Sequence, residues 1–139
     1  MVRLTRAIEF STSLRCVHPD LSAAENEALY GAAARQHGHN YRLEVTLRGE
    51  PDPATGMVID LKDLQEVLER EIMQRFDHRD LNRDTPYFEK QAPTHENVAR
   101  VIERLLLAAL PAGTLDRIRL QPEADTWVEI VRPLPEAGA

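Results

Sequence analysis

Only one cysteine, Cys16, stands in the chain, so no internal disulfide can form. That composition suits a reducing compartment and sets the expectation of a cytoplasmic protein. Basic residues do not dominate: 17 Lys and Arg stand against 23 Asp and Glu, for a net charge of −6. The two signs are interspersed, with no basic patch of the kind that contacts nucleic acid. Apolar runs are short, and none approaches the ~20 residues of a membrane helix. Met1 to Thr5 alternate in polarity instead of forming the apolar block of a signal peptide. With 139 residues, the expectation is a single domain over 1–139, long enough for a real core.

What is present is periodic. Val2, Leu4, Ile8 and Phe10 alternate with polar residues, a two-residue period that predicts a strand. Ser22 with Glu25 forms a capping-box pattern and predicts a short helix to about Ala34. Tyr41, Leu43, Val45 and Leu47 alternate with Arg42, Glu44, Thr46 and Arg48, the clearest strand pattern. The Pro- and Gly-containing stretch from Gly49 to Gly56 reads as a turn into Met57-Val58-Ile59, expected to pair with that strand. Asp60 caps a helix carrying Leu61, Leu64, Val67, Leu68 and Ile72 and ending near Phe76. Residues 77–93 read as loop. Thr94 caps a second long helix with Val98, Val101, Ile102 and Leu105 inward, stopped by Pro111 and Gly113. Ile118 and Leu120 suggest a strand, Thr126 to Val131 another, and 133–139 a frayed tail. Helices would then cover one face of an antiparallel sheet, an α+β arrangement whose edges need cover from another subunit.

The chemistry-bearing residues cluster in two places. His37 and His39 lie two apart at the head of a strand, so both imidazoles project from one face, as two ligands of one zinc ion must. The other reading of the pair is a turn held by local hydrogen bonds. Asp77-His78-Arg79 is the second cluster. There a carboxylate can fix the tautomer of an imidazole that titrates near neutrality, or His78 can simply complement a helix C-terminus. Cys16 and His18 share the parity of Phe10 and would face the histidine pair if the first strand ran on. Otherwise Cys16 is a small buried hydrophobe and His18 a loop residue before Pro19. Arg15 and Arg35 read as surface arginines or as partners for an anionic ligand. Glu123 and Glu129 read as solvated surface or as acceptors for a paired N–H edge of a ligand.

Several dispersed stretches occur in one order: Phe10-Ser11, Leu21-Ser22 to Tyr30-Gly31, His37 to Tyr41, Gly56 to Leu61, Asp77-His78-Arg79 with Leu81-Asn82, Pro93-Thr94 with Glu96-Asn97, and Trp127 with Glu129. On these the chain resembles the 6-pyruvoyl-tetrahydropterin synthase and 6-carboxy-tetrahydropterin synthase family over nearly its whole length. The resemblance implies the tunnelling fold: a four-stranded antiparallel sheet with two helices on one face, closing into an inter-subunit β-barrel as trimers or hexamers. It implies a zinc-dependent carbon–oxygen lyase acting on a dihydroneopterin triphosphate-like substrate bound between subunits. His37 and His39 match two zinc ligands, Asp77 and His78 the catalytic aspartate and histidine, and Thr94 a residue facing the ligand. Aligned on Trp127, the pterin-gripping glutamate falls at Pro122, with Glu123 next to it. Two family positions are changed: the third zinc histidine is Leu14, and the catalytic cysteine is Ala33. Leucine cannot ligate a metal and alanine cannot serve as a thiolate base. The resemblance therefore leaves two readings open, a lyase with weakened metal binding and catalysis, or a catalytically inactive tunnelling-fold protein serving in binding or assembly.

Overall fold

A computed structural model of the chain describes residues 1–135. It is an α+β fold built on one sheet of five strands in the order β3-β1-β2-β4-β5. Strand β1 (Val2–Leu14) runs antiparallel to β2 (His37–Gly49) over its whole length, from Val2 opposite Gly49 to Leu14 opposite His37. On the other side of β2 lies β4 (Leu115–Glu123), followed by the edge strand β5 (Thr126–Val131).

Period-two patterning separates the two faces. Phe10 and Leu14 of β1, Tyr41, Leu43, Val45 and Leu47 of β2, and Ile118 and Leu120 of β4 are all buried against the helices. The opposite face carries polar partners: Thr5 and Thr46 hydroxyls meet at 2.7 Å, Arg119 lies between Glu44 and the Trp127 ring, and Arg117 approaches Glu129. At the sheet's end Arg48 is buried on this face, where Asp116 and the Arg132 and Pro133 carbonyls satisfy its guanidinium.

Helix α1 (Ala23–Tyr30) starts with the expected capping box between Ser22 and Glu25 and passes into a 3-10 turn, Gly31–Ala34. It packs little. Its one buried residue, Asn26, accepts from the His18 N–H and donates to the His18 and Leu21 carbonyls, tying the preceding loop to the helix. Helix α2 (Leu61–Leu68), capped by Asp60, continues through a π-helical turn (Glu69–Met73) into α3 (Gln74–Phe76). Leu64, Leu68, Ile72 and Phe76 of this rod are fully or almost fully buried. Helix α4 (His95–Ala109), with Thr94 Oγ1 accepting from the Asn97 N–H, buries Val98, Val101, Ile102 and Leu106.

Two expectations change. Met57–Ile59 forms no strand and does not pair with β2. Both edges of β2 are already taken, by β1 and β4, so no ladder position remains. Instead Asp52 accepts the Gly56 N–H on its carbonyl and donates its own N–H to Met57, closing a turn beside the end of β2. The second change is a fifth strand within the stretch read as loop. β3 (Arg79–Asp80) lies parallel to Thr12-Ser13 at the outer edge of β1. Most of the tail read as frayed lies outside the described residues. Pro133, inside them, is held by the Arg48 guanidinium.

Candidate active site

The β1–β2 register places His37 opposite Leu14 and His39 opposite Thr12, on the same face as the core residue Tyr41. The two rings stand 5.0 Å apart, centroid to centroid, edge to face. Gly38 between them explains the motif's spacing. A Cβ there would lie 2.9 Å from the Thr12 carbonyl oxygen, closer than real Cβ atoms come, so only glycine lets β2 approach β1 at this point. His37 Nδ1 lies 2.7 Å from the Arg35 carbonyl, which can only accept. Nδ1 therefore donates in this contact, and Nε2 is left as the ring nitrogen that can face a metal ion.

A third imidazole stands beside this pair, on a helix start that carries no local sign of it. His95, the first residue of α4, brings its ring to 4.9 Å from that of His39 and its Nδ1 to 2.9 Å from the Tyr41 hydroxyl. The only sequence signal for it is its place beside Thr94, because the approach is made by the docking of α4. Burial lowers the pKa of His39, reinforced by the neighbouring imidazoles of His95 and His37. Burial also lowers that of His95, against the opposing charges of Glu96 and Glu123. Burial raises the pKa of Tyr41, so its hydroxyl stays protonated. Glu123 thus stands within electrostatic reach of the cluster, exposed at the end of β4, while Pro122 beside it is buried. Thr94 is occupied as the α4 cap.

Asp77 and His78 form a separate unit on the other side of β1. Asp77 accepts from the Ser11 N–H at 2.9 Å, and the His78 N–H donates to the Ser11 carbonyl at 2.7 Å. The Ser11 bond is the main reason the Asp77 carboxyl titrates below the ordinary aspartate range, with His78 adding to it. His78 Nδ1 lies 3.0 Å from Asp77 Oδ2, and its side chain is 84% exposed. His78 also adopts φ 58°, a left-handed conformation that costs a non-glycine residue on the order of 1 kcal/mol. The expected carboxylate–imidazole pair therefore exists, held by the β1 backbone and facing outward. No contact joins it to the three-histidine cluster among the described residues.

Cys16 and His18 do not reach the histidine pair. β1 ends at Leu14, and the Cys16 N–H turns to the Ala33 carbonyl, so the strand parity stops there. The Cys16 thiol is buried near the Pro93 carbonyl, and burial raises its pKa, with Glu96 adding to the effect. His18 Nδ1 accepts from the Asp20 N–H in a loop. Arg35 is paired with Glu27 at the surface, and Glu129 with Arg117.

As the side chains stand, no three His, Cys, Asp or Glu groups among the described residues are arranged to hold a metal ion. One observation nevertheless fits an ion or its bound water at the histidines. Thr12 Oγ1 is buried with no hydrogen-bond partner among the described residues, on the cross-strand neighbour of His39 and the same face of the sheet. No described helix is long and apolar enough to cross a membrane.

Known proteins share this fold and much of this sequence. The family model described as 6-pyruvoyl tetrahydropterin synthase matches residues 3–133. The 6-pyruvoyl tetrahydrobiopterin synthase of Homo sapiens is 44% identical over 120 residues, spanning 85% of this chain and 83% of the human one. A putative 6-carboxy-5,6,7,8-tetrahydropterin synthase of Archaeoglobus fulgidus is 31% identical over 117 residues, covering 84% and 93% of the two chains. Among solved structures, the Caenorhabditis elegans 6-pyruvoyl tetrahydropterin synthase superposes with a TM-score of 0.88 at 31% identity, over 95% of this chain and 96% of that one. A family match over residues 3–133, a relative 44% identical over most of both chains and a shared fold leave one assignment: this chain belongs to the 6-pyruvoyl tetrahydropterin synthase family.

Proposed function

We propose that this protein binds a pterin-type ring between subunits and acts as a slow lyase on a dihydroneopterin triphosphate-like substrate. Zinc sits at His37 and His39, and the working form is a cytoplasmic trimer or hexamer of one-domain chains. The observation that carries the reading is the histidine pair itself. Its two rings share one face, His37 has Nε2 freed by the Arg35 carbonyl, and the unpartnered Thr12 hydroxyl stands across from His39. Bound zinc would supply polarisation of substrate oxygens. Asp77 and His78 move the side-chain proton, with Asp77 fixing the His78 tautomer. Their outward exposure fits a dyad that works on a ligand shared with a neighbouring subunit. Glu123 accepts from the ring's N–H edge and Thr94 faces the ligand.

Ala33 in place of the family's cysteine removes a general base, worth about 10²–10⁴ in rate, so turnover is slow while ring binding persists. The same substitution, with Leu14, supports the second reading, a binding or assembly subunit without catalysis. Pterin fluorescence quenching measures binding, and product analysis with dihydroneopterin triphosphate measures turnover. Binding with slow, chelator-sensitive turnover supports the lyase, and binding with no turnover supports the second reading. Efficient turnover in chelator-treated protein overturns the zinc assignment. Light scattering that gives a stable monomer at micromolar concentration overturns the assembly.

A further inference from the structure

We infer that Pro133-Leu134-Pro135 of one copy docks in the apolar groove beside Val2 and Met57 of the next copy, fastening neighbouring subunits at one end of the sheet. The inference rests on the assembly reading given above and names a contact within it.

The sheet's two open edges are the first argument. β5 ends the sheet on one side, and β3 covers the outer side of β1 only at Thr12 and Ser13. β1 is antiparallel to β2, β2 to β4 and β4 to β5, so β5 runs opposite to β1. Antiparallel closure of these edges between copies sets the end of β5 beside the start of β1. Register gives the level. Val131 pairs with Arg117, Arg117 with Thr46 and Thr46 with Thr5. An extended chain past Val131 then brings Leu134 level with Val2. The neighbouring copy's β1 would lie about 5 Å from β5, one strand spacing, while the chain's own β1 is three spacings away, about 14 Å.

The second argument is the fit of groove and segment. Val2, Leu4, Met57, Val58, Ile59 and Leu61 line a groove of about 310 Å³ at that end of β1. Val2, Met57 and Leu61 are all exposed in the single chain, an apolar patch of the kind that marks an interaction site. Leu134 is 58% exposed and supplies a matching apolar side chain. Its two prolines hold the segment extended, because each ring fixes its own φ and Pro135 restricts Leu134 before it. Docking therefore orders little that is not already ordered. The Pro133 carbonyl accepts from the Arg48 guanidinium, which anchors the start of the segment at the sheet's end and leaves Leu134 exposed beyond it.

The test uses the full chain. Unlabelled Leu134→Cys protein is mixed with nitrogen-15-labelled Met57→Cys protein, the subunits are allowed to exchange, and the mixture is oxidised. A disulfide joining a light peptide to a heavy one can arise only between copies, and the native thiol of Cys16 is buried. Leu134→Cys mixed with Leu107→Cys, an exposed position on α4, is the control. Mass spectrometry should find the link between positions 134 and 57 and not the control link. Sedimentation across a dilution series then compares wild type with Leu134→Ala and Met57→Ser, with circular dichroism checking that both variants fold. Losing the burial of one leucine side chain at each contact should raise the chain concentration at which Leu134→Ala dissociates by about tenfold or more. Met57→Ser should move in the same direction. Absence of the 134-to-57 link from oligomeric protein, or unchanged dissociation in both variants, overturns the inference and leaves the assembly reading standing. A monomeric wild type at micromolar concentration overturns both.

Discussion

Gly38 offers the sharpest test of how the histidine pair is positioned. In Gly38→Ala the new methyl would stand 2.9 Å from the Thr12 carbonyl oxygen and 3.9 Å from its carbon. Both are backbone atoms of β1, hydrogen-bonded into the ladder near its Leu14–His37 end, so neither can swing away as a flexible side chain would. Forcing a methyl into such a contact costs about 1–3 kcal/mol. Replacing glycine also lowers the entropy of the unfolded chain, which returns about 0.4–1 kcal/mol. The expected net loss is about 1–2 kcal/mol, a factor of roughly 5–30 in the folded-to-unfolded ratio. Urea unfolding of metal-free protein at fixed subunit concentration measures it, because any oligomer makes apparent stability concentration-dependent. The displacement falls between His37 and His39, so metal affinity should fall as well. Unchanged stability and unchanged zinc affinity together would refute the claim that close strand approach sets this pair.

Three further outcomes follow from other parts of the molecule. Burial would raise the Asp80 carboxyl, but hydrogen bonds from Gln36, the Arg83 and Asn82 N–H groups and Ser13 outweigh it and lower its pKa. The stability it contributes is therefore present above the unfolded value of about 3.9 and lost as pH falls through the folded value; Asp80→Asn should flatten that acid-side slope, and an unchanged slope in acid titration of unfolding argues against this. His78→Gly relieves the left-handed backbone while removing an exposed side chain, so urea unfolding should show stability within about 1 kcal/mol of wild type with any turnover abolished; a loss above about 2 kcal/mol would show that His78 is structural. Ala33→Cys together with Leu14→His should raise turnover by about 10²-fold or more in product analysis, and no increase would show that the missing thiol and imidazole are not the limiting defects.

How much was readable in the sequence depended on where the causal contacts lie. β1, β2, α2 and α4 announce themselves through local periodicity and caps, and the structure keeps Ser22, Asp60 and Thr94 in their capping roles. The His37–His39 geometry was equally legible, because strand parity alone puts both on one face. β3 was not, since two residues carry no period; they are placed by Asp77 and His78 binding Ser11, 66 residues away in sequence from Asp77. Met57–Ile59 looked like a strand because three apolar residues follow a turn, and nothing local reveals that β2 already has two neighbours. His95 was hidden for the same reason: its meeting with His39 is created by helix docking, which no window of sequence contains.

The π-helical turn at Glu69–Met73 sets the phase of everything after it. Leu64, Leu68, Ile72 and Phe76 repeat every four residues, and in a straight α-helix each such step would drift about 40° around the axis. The wider turn absorbs that drift, so all four remain in the core and Asp77 emerges facing the Ser11 amide. Removing any one residue between 69 and 73 would leave every functional side chain in the sequence. Taking out Glu69, Arg70 or Glu71 would also let a plain α-helix carry Leu64, Leu68, Ile72 and Phe76 on one face at spacings of four, three and four, so the wide turn would vanish while Asp77 kept its place at the Ser11 amide.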